Sequence, residues 1–179
     1  MRAEVPFVCA AFDALLPERI KSLYDFGSYI TGSENLRKQF PNRQYVGVDF
    51  RDGPGVDLVH DLTKVEWDHP RAQAAVSFDT LEHVWQPFNA LKTISLALEE
   101  GAPLLVLVPF TFQIHCYPDD YFRYTPQGLR TLLEWGGFTD IALSQKPPGD
   151  SPSQVWALGW KGHRPDDCSG INLSHLLGY

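Results

Sequence analysis

The chain has 179 residues, of which 44% are hydrophobic and 21% charged, and its formal net charge is −7. That length and balance suit one globular domain and exclude a globally disordered chain. No run of Lys or Arg offsets the acidic excess, so a binder of nucleic-acid phosphates is excluded. No stretch is long and apolar enough for a bilayer span, and no membrane partner is expected.

Cys9, Cys116 and Cys168 are far apart and odd in number. They form no disulfide framework, and a reducing, cytoplasmic setting is the expectation. The apolar N-terminus is broken by Glu4, Pro6 and Asp13, and does not read as a secretion signal.

In chain order, "IKSLYDF" (20–26) reads as a first strand ending at Gly27. Ser33 is placed to cap a short helix running to Phe40, closed by Pro41. "QYVGVDF" (44–50) is a second strand and "GVDLVHDL" (55–62) a short third one, after a Gly-Pro-Gly turn. "AAVSFDTL" (74–81) is the fourth. A helix follows in "WQPFNALKTISLALEEG", with Phe88, Leu91, Ile94, Ser95 and Leu98 at helical spacing, stopped by Gly101. "PLLVLVPF" (103–110) is apolar on both faces, as a central parallel strand requires. Thr125 as N-cap, Pro126 at the first helical position and Gly136–Gly137 at the end frame another helix. "FTDIALSQ" and "SQVWALGWKG" read as two antiparallel strands joined by "KPPGDSP". Residues 162–179 form a tail, docked or frayed. One domain, with its core over about residues 20–161, is expected.

Strands alternating with helices imply a mainly parallel sheet, whose ligands bind at the carboxyl ends of its strands. Five stretches sit there. Asp25–Gly27 with Gly32 is either a turn that lets a ligand approach the backbone or a plain strand-to-helix turn. Asp49 lies 22 residues past Gly27, the spacing at which an acid accepts from ribose hydroxyls. Asp61 and Leu62 close the third strand. "SFDTLEHVWQP" (77–87) holds Asp79, Glu82 and His83, types suited to acid–base work. No His-x-x-x-His or cysteine cluster completes a metal site around them, so no metal is expected. "PFTFQIHCYPDDYFRYTP" (109–126) gathers His115, Tyr117, Asp119, Asp120, Tyr121, Arg123 and Tyr124. It reads as a pocket-lining loop, or as a loop pinned by its aromatics with Arg123 paired to a carboxylate.

Taken in order, these segments resemble the class I S-adenosylmethionine-dependent methyltransferases, in particular the small type-11 group, over roughly residues 20–145. "LYDFGS", "YVGVDF", "VDLVHDL" and above all the run "AAVSFDTLEHVWQPFNALKTISLALEEGAPLLVLVPF" carry the resemblance. It implies a Rossmann-like α/β fold: a mostly parallel seven-stranded sheet with a C-terminal antiparallel hairpin. It further implies S-adenosylmethionine as cofactor, held by Asp25, Gly27, Ser28, Tyr29, Gly32, Asp49, Phe50, Asp61, Leu62, Asp79, Thr80 and Leu81. The acceptor is expected to be a small molecule, met by Tyr117, Asp120, Tyr121 and Arg123, with His115 and then His83 as general base. A homodimer is compatible with this picture. The glycine turn departs from the family's Asp-x-Gly-x-Gly-x-Gly, because Tyr29 and Thr31 stand where later glycines belong. A non-catalytic methyltransferase-like scaffold that has lost cofactor binding is therefore the alternative. A nicotinamide-dependent oxidoreductase is the weaker rival, since Gly-x-Gly-x-x-Gly is absent.

Overall fold

The computed structural model describes residues 4–32, 35–116 and 118–178. Its strands are β1 (Ser22–Phe26), β2 (Gln44–Asp49), β3 (Leu58–Val59), β4 (Ala74–Phe78), β5 (Pro103–Pro109), β6 (Phe138–Lys146) and β7 (Gln154–Lys161). They form one sheet in the order β3-β2-β1-β4-β5-β7-β6. β1 to β5 pair in parallel, and β7 is antiparallel to β5 and β6. The architecture is the Rossmann-like class I methyltransferase fold that the resemblance implies.

Helices cover both faces. On one, α1 (Val5–Leu15) and α4 (Leu173–Leu177) pack Val8, Phe12 and Leu176 against Leu23, Leu105 and Trp156. On the other, α2 (Pro87–Leu96) and α3 (Pro126–Gly136) pack Leu91, Ile94, Leu129 and Leu133 against Phe26, Leu104 and Val106. Every residue of β5 is buried, because it lies mid-sheet with helices above and below. α3 keeps its expected frame. The Thr125 side chain accepts from the Gly128 N–H, Pro126 takes the first position, and Gly137 ends the helix at φ 91°.

Three elements differ from the sequence reading, α2 ends at Leu96 and not at Gly101, and the tail, left open there, is decided. The N-terminal apolar stretch forms α1, with a proline in its first turn, where no amide partner is needed. After Gly32 there is only a 3-10 turn, Leu36–Gln39, capped by the Asn35 side chain rather than an α-helix; Ser33 lies outside the described residues. β3 contracts to two residues, and the preceding loop folds back on the turn after β1. The tail docks: Cys168, Ile171, Leu173 and Leu176 are buried. Arg164 holds it by donating to the carbonyls of Cys168 (2.9 Å), Ser169 (2.7 Å) and Ile171 (2.8 Å). At the other terminus Arg43 plays the same part. It pairs with Asp13 Oδ1 (2.6 Å) and donates to the carbonyls of Asp13 (2.8 Å), Leu16 (3.2 Å) and Pro17 (3.2 Å).

Strand alternation turns Asp25 away from Phe26 and toward the α1 face, where its carboxyl accepts from the buried Tyr45 hydroxyl. Burial pushes its pKa up to about 6, against the Tyr45 hydrogen bond, which lowers it, and Asp49, which adds to the rise. A folded-state value above the unfolded one means that the protonated form is favoured on folding. The associated stability is complete below about pH 4 and is lost as pH rises through 6. Asp25→Asn should remove this dependence. In urea unfolding followed from pH 4 to 7, the wild type should lose about 2–3 kcal/mol more than the variant.

Candidate functional site

β1 and β4 are neighbours, yet the chain leaves β1 toward β2 and leaves β4 toward β5. This is the switch point at which ligands of such sheets bind. The turns beyond β1 and β4 interlock there. Gly27 sits at φ 89°, and a Cβ on it would lie 2.0 Å from Thr80 Oγ1. The Thr80 hydroxyl is itself within bonding reach of the carbonyls of Phe78 (2.9 Å) and Phe26 (3.1 Å). So it is the protein's own threonine that requires glycine at 27. Asp79, just before it, is held in the left-handed region at φ 45°, an uncommon conformation for a side-chain-bearing residue.

Asp49 ends β2 beside this turn. Its carboxylate accepts the N–H of Tyr29 (3.2 Å) and of Arg51 (3.3 Å), with the Arg51 guanidinium at 4.0 Å. Burial raises its pKa, and these backbone bonds oppose the rise. The Tyr29 ring lies under the Arg51 guanidinium, 3.8 Å from its centroid, and against Gly53, whose absent Cβ would come within 2.3 Å of it. Pro54 accepts the Ile30 N–H (2.9 Å), so the loop after β2 closes onto the turn after β1. Phe50 is half exposed next to Arg51. Ser28 Oγ is buried with no hydrogen-bond partner among the described residues. Asp61 accepts from the N–H (3.0 Å) and hydroxyl (2.8 Å) of Thr63. Leu62 and Leu81 belong to the core, and no described residue lies within 4 Å of a Cβ built on Gly32. The sequence contained no sign of the Tyr29–Arg51–Gly53 stack.

The second cluster starts at a 3-10 turn, Leu81–His83. Glu82 is 0% exposed, and beyond its own backbone N–H neither carboxylate oxygen finds a donor among the described residues. Burial, reinforced by Asp79, pushes its pKa up to about 8. His83 Nδ1 lies 2.6 Å from the Asp119 carbonyl, and burial lowers the imidazole's pKa. His115 packs edge-on against His83, ring centroids 4.7 Å apart. Its Nδ1 is 3.1 Å, and its backbone N 3.0 Å, from Asp120 Oδ2. Asp120 in turn takes both arms of Arg123 (2.5 and 2.7 Å), which hold its pKa well below the usual carboxylate range, with the His115 N–H assisting. Arg123 also donates to the Phe122 (2.8 Å) and Gln113 (3.1 Å) carbonyls.

The structure therefore brings His83, His115, Asp120 and Arg123 together and adds Glu82. Arg123 is paired to a carboxylate, and Asp120 positions His115. Tyr121 is exposed, its hydroxyl on Asp119 (3.0 Å), and borders a recess of about 310 Å³ shared with Phe112, Ile114, Asp120, Phe122 and Arg123. Tyr124 is buried, donating to the Leu81 carbonyl (3.0 Å). Tyr117 lies outside the described residues.

Two substitutions test these roles. Gly27→Ala should cost about 2–4 kcal/mol in chemical unfolding with no ligand present, through left-handed strain and the Thr80 clash. Arg123→Ala leaves the Asp120 charge uncompensated. It should cost about 2–4 kcal/mol and raise hydrogen exchange across 110–124 more than elsewhere.

No family model and no curated protein matches the chain. Solved structures do. The Burkholderia thailandensis 1,6-didemethyltoxoflavin-N1-methyltransferase, solved with 1,6-didemethyltoxoflavin and S-adenosylhomocysteine, aligns at TM-score 0.68 and 19% identity, over 90% of this chain and 80% of that one. A chain of the complex between the Haloferax volcanii Trm112 methyltransferase activator and a methyltransferase aligns at TM-score 0.63 and 14% identity, over 89% and 90%. Human N-acetylserotonin methyltransferase, in complex with SAM, aligns at TM-score 0.60 and 16% identity; 87% of this chain spans only 52% of that one. With the strand order and the antiparallel β7, these matches show that the chain has the fold of the class I S-adenosylmethionine-dependent methyltransferases.

Proposed function

We propose that the chain is an S-adenosylmethionine-dependent methyltransferase acting on a small molecule. The observation that carries this reading is the Asp49 carboxylate, set at the switch point next to the Gly27–Ser28 turn. The residues present fit an adenosine. A carboxylate has about four acceptor positions, so two backbone N–H bonds orient Asp49 and leave capacity for a ribose diol. In the same turn Ser28 Oγ supplies a buried polar atom without a partner among the described residues, and Phe50 an exposed ring face for the adenine. Asp61, Asp79 and Thr80 border the same strand ends.

When bound, the cofactor supplies a methyl group already activated on a sulfonium. The chain's task is to align an acceptor with it, and such positioning is worth up to about 7–11 kcal/mol in model reactions. The recess beside Phe112 and Tyr121 offers flat apolar walls for a small acceptor. His115, its ring set by Asp120, is placed to take the acceptor's proton; His83 is the second candidate. The small heterocycle bound by the B. thailandensis neighbour supports a small-molecule acceptor. The three unpaired thiols agree with a reducing compartment.

One observation favours a second reading, a methyltransferase-like binding subunit without catalysis. The Tyr29–Arg51 stack and the loop closed over Ser28–Ile30 occupy the approach to Asp49. The neighbour solved with a methyltransferase activator belongs to a protein assembly. Thermal and chemical unfolding with S-adenosylhomocysteine separates the two. Under the enzyme reading, ligand at a hundred times its dissociation constant stabilises by about 2.7 kcal/mol. Asp49→Ala should abolish the gain, and Arg51→Ala, which releases Tyr29, should increase affinity. No stabilisation of the wild type or of Arg51→Ala at millimolar ligand would leave the binding subunit.

A further inference from the structure

We infer that Glu82, His83 and His115 form a binding site for a divalent transition-metal ion of the zinc class. The site does not require methyl transfer, although a bound ion would occupy the imidazole lone pairs that the preceding reading uses to take the acceptor's proton; it departs from the expectation of no metal. The ligand atoms of the three side chains lie within 4.8 Å of one another, and His83 Nε2 is already 3.8 Å from Glu82 Oε1. Zinc–nitrogen and zinc–oxygen bonds of about 2.0–2.2 Å place tetrahedral ligand atoms about 3.4 Å apart. Side-chain rotations of about an ångström close that gap.

Two independent features point to an ion rather than to a chance cluster. First, Glu82 is completely buried, and beyond its own backbone N–H neither oxygen has a hydrogen-bond donor among the described residues. A buried carboxyl without a partner is costly, and buried charges are ordinarily paired or coordinated to a metal. A cation between Glu82 and the two imidazoles supplies the charge partner that the described residues do not give Glu82. Second, each imidazole is oriented through Nδ1. That of His83 meets the Asp119 carbonyl at 2.6 Å, and that of His115 meets Asp120 at 3.1 Å, with Asp120 clamped by Arg123. An Nδ1–H given to a carbonyl or carboxylate selects the tautomer whose Nε2 carries the lone pair. Metal-binding histidines are supported in this way. Two imidazoles with one carboxylate suit zinc and its neighbours, whereas calcium and magnesium prefer all-oxygen shells. Three protein ligands also leave a coordination position for water or a small oxygen ligand.

The test uses the full chain, stripped with a chelator and titrated with zinc against a chromophoric competitor, without cofactor. One equivalent should bind and raise the melting temperature. Glu82→Gln, His83→Ala and His115→Ala should each weaken binding at least about tenfold, and Asp120→Asn, which removes the support of His115, by about 10–100-fold. Glu82→Gln removes a buried ionisable group, so it should melt no lower than the wild type without metal while losing the zinc-induced rise. This separates a lost ligand from a lost fold. Cobalt(II) in place of zinc should give visible bands without a thiolate charge-transfer band. Cys116→Ser should bind as the wild type does, and so should the double variant His60→Ala/His69→Ala, which removes a second pair of neighbouring imidazoles with ring centroids 6.4 Å apart. The inference is overturned if the stripped wild type takes up no stoichiometric zinc, if Glu82→Gln and His115→Ala bind unchanged, or if binding follows Cys116 or the His60–His69 pair. Because cofactor is absent throughout, none of these results bears on S-adenosylhomocysteine binding, which the preceding experiment reads separately.

Discussion

The short turn after β4 is the constraint on which the rest of the site depends. Between Asp79 and Glu82 the chain passes through a left-handed aspartate, seats Thr80 where a Cβ of Gly27 would go, and drops Glu82 into the interior. The Glu82 carbonyl then accepts from the N–H of Tyr121 (2.8 Å) and Phe122 (3.3 Å), and the Leu81 carbonyl from the Tyr124 hydroxyl. The long loop after β5 therefore hangs on the turn after β4, and the turn after β1 is wedged against it. Displacing these residues would disturb both halves of the switch point, because interlocked backbone has few ways to relax.

Arginine does most of the fastening in a chain that is acidic overall. Arg43 gathers the carbonyls at the end of α1, Arg164 those of the docked tail, and Arg123 those of the loop that carries His115. A planar guanidinium presents five donors in a fixed fork, so one residue satisfies several main-chain oxygens where no ladder continues. Where the fork also meets a carboxylate, the pair is held by charge-assisted hydrogen bonds, largely out of solvent in Arg43–Asp13 and partly buried in Arg123–Asp120.

The two polar clusters at the switch point are in different states. Around Asp49 the carboxylate is oriented by the chain's own N–H groups and shielded by a stacked tyrosine and arginine. Around Glu82 the carboxyl has no donor among the described residues beyond its own N–H, while both neighbouring imidazoles are oriented through Nδ1. The first cluster holds its carboxylate with its own N–H groups and leaves Ser28 Oγ and Arg51 Nε without a partner among the described residues; the second leaves a buried carboxyl without a side-chain donor among them. That asymmetry makes the Glu82 cluster the chemically more informative of the two.

Much of the framework was legible because it is encoded locally. The apolar run of β5, the hydrophobic spacing of α2, and the Thr125–Pro126 start and Gly137 end of α3 each follow from a few consecutive residues. So does the placing of Gly27 and Asp49 at strand ends. Local signals were weakest where long-range packing decides. α1 is stabilised by burial against the sheet and by Arg43, far along the chain. β3 is shortened because its leading residues pack onto the turn after β1. The sequence named Glu82, His83 and His115 but could not join them. Residues 82 and 115 are separated by α2 and β5, and only the parallel crossover returns the chain to the same sheet edge. By itself, then, the sequence determined the elements, their order and the types of ionisable residue at strand ends, since these rest on short-range periodicity and capping. The tertiary structure alone decided that Glu82 is buried without a side-chain donor among the described residues, that Asp120 serves His115, and that Tyr29 lies beneath Arg51. Burial and pairing are properties of neighbours in space, which chain order does not specify.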